Sequence, residues 1–189
     1  MRENLLKEIV DREFRMFQSL LVEGLDRCKD NPKTFRLVRT SYFSVFSEET
    51  LLSYLEDLKR AEKEGRNLLE EKYARMDGKI PSSGKDPRIE EIVSIRSSWM
   101  RELALKYPGV FEFDEGKFAN YSRSELETYS GRTLELMLQD HRRALDEGRN
   151  LIREQYDLMF GRIGLSLEEL EERRREKEME KVKGKKERG

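Results

Sequence analysis

The chain has 189 residues, of which 41% are charged and only four are proline, with Leu, Ile, Val and Phe supplying 47 of the total. That apolar share, about a quarter, is enough for a core, and the charge excess favours long solvated helices. The 38 basic and 39 acidic side chains nearly cancel, so no bulk field draws the protein to nucleic acid or to an anionic membrane. One cysteine excludes an internal disulfide, and one histidine with one cysteine excludes the common zinc sites. No apolar run reaches the ~18 residues of a membrane span, and the opening MRENLLKEIVDREF is too charged for a secretory signal. The expectation is a cytoplasmic, all-α protein without a cofactor.

In chain order, Leu6, Ile9, Phe14, Phe17, Leu20 and Leu21 recur at helical spacing and predict a first helix. Asp30-Asn31-Pro32 stops it, and an irregular or helical middle carries Phe35, Val38, Tyr42, Phe43 and Phe46. Ser47 is an N-cap, with Glu48 and Glu49 in the first turn of a long helix that runs to about Met76 and ends at Asp77-Gly78. Residues 79–87 form a linker that closes on Asp86-Pro87, a cap followed by proline at the first helical position. The stretch from Tyr107 to Tyr129 reads as an aromatic loop, after which Ser130 starts a second long helix reaching about Phe160. Ser166 with Glu169 makes a capping box for a charged C-terminal helix or tail, residues 166–189.

An internal repeat organises these elements. EGRNLLEEKYARM begins at Glu64 and EGRNLIREQYDLM at Glu147, an offset of 83 residues, and positions 8–78 match 91–161 without gaps at 22 of 71 pairs. The expected architecture is a single domain, 1–165, of two repeats (about 5–78 and 88–161) packed as a pseudo-two-fold helical bundle. On a continuous wheel Leu51, Leu55, Leu58, Ala61, Gly65, Leu68, Leu69, Tyr73 and Met76 share one face. Gly65 falls near its centre, as does Gly148 in the second copy, which predicts a close crossing of the two long helices there.

A polar stripe lies beside that face. Asp57, Arg60, Glu64, Asn67 and Glu71 alternate at +3 and +4, and all five recur as Asp140, Arg143, Glu147, Asn150 and Glu154. Exposed ion pairs contribute only a few tenths of a kcal/mol each, too little to hold five residues in common. Hydrogen bonds across a buried interface would hold them, since one unsatisfied buried partner costs about 1 to 3 kcal/mol, and so would a ligand cleft. Arg66 with Tyr73, and Arg149 with Tyr156, are retained on the other edge, where an arginine beside a phenol can hold a carboxylate or phosphate. His141 takes the place of core-facing Leu58 and reads as a buried structural imidazole. Cys28 reads as a small hydrophobe.

The segments DREFRMFQ, CKDNPKTFRLVRTSYF, SEETLLSYLEDLKRAEKEGRNLLEEKYARM, EIVSIRSSWMRELALKYP and ELETYSGRTLEL together resemble the domain of unknown function family number 4125 up to about residue 163. That resemblance implies a helical protein and carries no activity. The expectation for function is therefore a binding or interaction module with a polar site at the inter-repeat interface, taking a small polar ligand or a protein partner. The alternative is an enzyme that uses paired Asp and Glu carboxylates with Arg and Asn contacts to its substrate.

Overall fold

Capping chemistry sets the helix boundaries. The computed structural model describes residues 2–20, 31–82 and 86–186, with side chains as far as residue 180. Among the described residues it contains no strand and nine α-helices. In the first half these are α1 (Arg2–Gln18), α2 (Pro32–Phe43), α3 (Glu48–Lys63) and α4 (Leu68–Met76). In the second they are α5 (Pro87–Lys106), α6 (Glu115–Leu126), α7 (Gly131–Asp146) and α8 (Leu151–Gly161), followed by α9 (Leu167–Lys186). Ser47 and Ser130 cap α3 and α7 as expected, each accepting a backbone N–H three residues on. Asp86 caps α5 with Pro87 in its first turn, and Asp77-Gly78 closes α4, Gly78 having φ +70°. The Ser166–Glu169 box is reciprocal, with the Ser166 N–H 2.8 Å from Glu169 Oε2 and the Glu169 N–H 3.1 Å from Ser166 Oγ. Cys28 lies outside the described residues.

Two expectations fail. Neither long helix is continuous, because Glu-Gly-Arg-Asn is a stop followed at once by a start. Gly65 takes φ +69°, a left-handed conformation, and the N–H groups of Arg66 and Gly65 turn back onto the carbonyls of Ala61 (2.8 Å) and Glu62 (3.2 Å). Asn67 then accepts from the N–H groups of Leu69 and Glu70 and opens α4. Gly148 (φ +66°) and Asn150 repeat the turn between α7 and α8. Gly65 and Gly148 are exposed, and a Cβ added at either would meet nothing within 4 Å; no helices cross there. The second failure is the loop expected from Tyr107 to Tyr129. Asp114 accepts from the Lys117 N–H at 3.0 Å and starts α6 inside it.

Helix α1 packs on α2, α3 and α4, and α5 packs on α6, α7 and α8. Between the halves α3 meets α7, α2 meets α8, and α4 meets α6. One apolar core runs through both halves and includes Ile9, Phe43, Leu58, Ile92, Leu126 and Met137, each full burial of this kind contributing about 1.5 to 3 kcal/mol. At the α3–α7 contact each helix caps the other. Asp140 Oδ2 accepts from the Ser47 N–H (2.9 Å) and from Thr50 Oγ1 (2.6 Å), and Asp57 Oδ2 accepts from the Ser130 N–H (2.9 Å) and from Thr133 Oγ1 (2.6 Å). A carboxylate suits these positions because helix N-termini carry positive potential. His141 is buried, stacks on Trp99 and approaches Phe46, so it serves the core as expected, beside Trp99. Helix α9 docks by its first turns: Leu167 is fully buried and Glu171 accepts the Gly109 N–H at 2.8 Å. Among the described residues no helix is long and apolar enough to cross a membrane.

Candidate functional site

Five charged side chains, one each from α1, α2, α4, α5 and α6, cluster in the interior. Glu13 projects from α1 at a position that continues the apolar phase of Ile9 and Phe17, and it is fully buried. Arg39 of α2 grips it with the Nε–Nη2 edge of its guanidinium, Nε to Oε2 at 2.7 Å and Nη2 to Oε1 at 2.6 Å, while the Tyr54 hydroxyl donates to Oε1 at 2.7 Å. Arg39 Nη2 also donates to Glu125 Oε1 across the two halves at 2.7 Å, and its guanidinium lies over the rings of Tyr42 and Phe43. Glu125 Oε1 further accepts from the Tyr129 hydroxyl at 3.2 Å. Its Oε2 makes no hydrogen bond, with only the Lys72 ammonium beside it at 3.3 Å. That ammonium rests 3.7 Å from the centre of the Tyr121 ring.

Burial by itself would raise the pKa of Glu125, but Arg39, Lys72 and Arg96 outweigh it and hold the carboxyl well below the usual range. Burial by itself would also strip the proton from Lys72, yet Glu125 keeps it charged and moves its pKa upward. The phenols of Tyr42, Tyr54 and Tyr129 are pushed up, first by burial and then by the neighbouring carboxylates, so they stay neutral; Tyr54 and Tyr129 donate to those carboxylates.

Arg96 of α5 is different. It is only 5% exposed, and its sole hydrogen bond among the described residues runs from Nη1 to the Tyr42 hydroxyl at 3.1 Å. Among the described residues no carboxylate stands within ion-pair distance of it, although Glu125 is near enough to favour its charge. Its guanidinium faces the ring of Tyr42 and, more distantly, that of Phe118. Arg96 borders a cavity of about 230 Å³ whose wall also includes Arg39, Glu125, Phe118, Tyr121, Ile152, Gln155 and Tyr156. A second cavity of about 340 Å³, lined by Phe17, Phe35, Leu69, Lys72 and Tyr73 among others, shares Val38, Arg39 and Tyr121 with it. The two are neighbouring cavities, each lined by both halves, and are together called the chamber. Among the described residues no three His, Cys, Asp or Glu side chains are grouped to hold a metal ion.

Of the candidate site residues read from the sequence, two line the chamber and the others are placed elsewhere. Tyr73 and Tyr156 line the chamber. Asp57 and Asp140 cap the opposite half's helix, with exposed Arg60 and Arg143 each 3.7 Å from its own aspartate. Arg66 bridges Glu64 (3.2 Å) and Glu71 (2.8 Å) on the surface of the first turn, and Arg149 bridges Glu147 and Glu154, both at 2.7 Å, on the second. Asn67 Nδ2 donates to the Met16 carbonyl at 2.8 Å, and Asn150 Nδ2 to the Trp99 carbonyl at 3.2 Å, tying each turn to the first helix of its own half. The break at Gly65 is what prevents the stripe from forming one face.

The cluster was hidden from a search for shared residues because its members are not shared. At the 83-residue offset Glu13 stands opposite Arg96, Arg39 opposite Ser122, Tyr42 opposite Glu125, and Lys72 opposite Gln155. The available signal was a charged residue in an apolar phase: Glu13 between Ile9 and Phe17, Arg96 between Ile92 and Met100.

The family model described as Protein of unknown function (DUF4125) matches residues 3–172. The chain belongs to that family. No curated protein and no solved structure matches it.

Proposed function

We propose that this protein is a soluble cytoplasmic binding module that takes a small organic anion into the chamber between its halves, and that those halves are copies of one helical unit related by an approximate two-fold axis. The duplication is supported by helix boundaries that recur at an offset of 83 residues, α2 with α6 and α3 with α7, and by the reciprocal aspartate caps. The binding role rests on one observation: Arg96, a guanidinium almost wholly removed from water, has a tyrosine hydroxyl as its only hydrogen-bond partner among the described residues and a cavity in front of it. Glu125 favours its charge only from a distance, and an anion in the chamber would give it a partner at ion-pair range.

Acid–base catalysis by the carboxylates has less support, because Glu125 is held ionised by three cations and is a correspondingly weak base. Titration calorimetry with small carboxylates and phosphates tests the binding reading. Arg96→Met is expected to remain folded, with an unchanged or higher melting temperature. It should lose about 10- to 100-fold in anion affinity, the worth of one or two charge-assisted hydrogen bonds. An unmodified protein that binds no anion would overturn the reading.

A further inference from the structure

The nature of the anion follows from charge count, wall chemistry and size; this step rests on the anion-binding reading above. Within this cluster Arg39, Lys72 and Arg96 contribute three positive charges, and Glu13 and Glu125 two negative ones, a surplus of one; the other buried carboxylates, Asp57, Asp140 and Glu171, lie outside it. A monoanion brings the cluster to neutrality. A dianion such as inorganic phosphate or a dicarboxylate places its second charge in the same low-dielectric space as Glu125, where repulsion is weakly screened. The unused N–H groups of Arg96 match two carboxylate oxygens in one plane. Beyond that point the wall is apolar: Phe118, Tyr121, Ile152 and Tyr156. Gln155, where the first half has Lys72, adds a neutral amide that makes no hydrogen bond among the described residues. The inner cavity, about 230 Å³, equals on the order of eight waters of liquid volume, room for a small ring or a branched chain. We propose that the chamber binds a monocarboxylic acid with a compact apolar or aromatic body, its carboxylate on Arg96 and its body against Phe118 and Tyr156.

The test uses the full chain with phenylacetate and 3-methylbutanoate as probes, and acetate, succinate, inorganic phosphate and benzyl alcohol as comparisons, by calorimetry and thermal shift. The two probes are expected to bind at least about tenfold more tightly than any comparison, a difference of about 1.4 kcal/mol. That binding should disappear both in Arg96→Met and in Gln155→Trp, which fills the chamber and leaves every charge in place. Phosphate or succinate binding as tightly as phenylacetate, and lost in Arg96→Met, would overturn the ligand class while leaving an anion site. Phenylacetate binding that survives both substitutions would overturn the location. No binding of any anion at about 10 mM would overturn the ligand class and the anion site together.

Discussion

At the scale of single residues, interior charge has consequences that acid reveals. His141 donates its Nδ1–H to the Met137 carbonyl at 2.7 Å. Burial pushes its pKa down from the usual 6.5 to about 3, with Arg96 adding to the effect. Because the folded value lies below the unfolded one, the neutral ring contributes nothing adverse above about pH 6.5. As pH falls from there toward 3, the unfolded chain binds a proton that the folded chain refuses. Stability should drop by about 1.4 kcal/mol per pH unit in that window, hence by about 2 kcal/mol between pH 6.5 and 5. Glu125, whose folded pKa is also depressed, adds its own loss only below the unfolded carboxyl range, about pH 4. His141→Leu, which installs the residue found at Leu58, should flatten the denaturation midpoint between pH 7 and 5. An unchanged slope would show that the imidazole is charged in the folded protein. The burial of His141 was legible because it occupies a leucine's place in the repeat. The state of Arg96 was not, since no sequence pattern records that a cation lacks a partner.

The element that most repays attention is the four-residue turn at residues 64–67. A wheel drawn straight through it mixes two helix axes, which is why Gly65 fell on the apolar face and the polar stripe looked continuous. The capping signals themselves were in plain view, glycine at the stop and asparagine at the start, and they outweigh periodicity because each satisfies backbone groups that nothing else reaches. Gly65→Ala should cost about 1 to 2 kcal/mol through the left-handed backbone alone, since no neighbouring atom obstructs a Cβ. Gly65→Asn should cost less, because asparagine tolerates that conformation. Equal losses for both would point to steric exclusion instead. Asn67→Ala removes the cap and the bond to Met16 together, so a loss of about 2 kcal/mol is expected in urea denaturation. Ser47, Ser130, Asp86 and Ser166 were each readable as caps for the same local reason. Helix α6 was not, because its apolar periodicity is weak and its start depends on one aspartate in an aromatic stretch.

Across the whole molecule, what the halves share and what they do not have separate roles. Shared residues set the frame: the serine caps, the reciprocal aspartates and the two EGRN turns. Unshared residues fill the interior between them, where Glu13 faces Arg39 and Arg39 reaches Glu125. The helical class was readable from sequence because it depends on periodicity and local caps. The chamber depends on which core-facing positions carry opposite charges in three dimensions, and the repeat comparison pointed away from it by selecting sameness.

The interior cluster also dictates how the chain can be divided. A fragment ending near Ser82 carries Glu13, Arg39 and Lys72 but leaves Glu125 behind. Pairing that fragment with itself would enclose four cations with two carboxylates. The first half is thus built to reject its own likeness, whatever symmetry its backbone retains. Fragments 1–82 and 86–189, mixed after separate expression, should reconstitute one-to-one by sedimentation, whereas the first alone should remain unpaired. Self-pairing of the first fragment with native-like stability would show that interior charge does not govern partner choice. Interior polarity here acts as a key cut differently on its two sides, so the molecule closes in only one way.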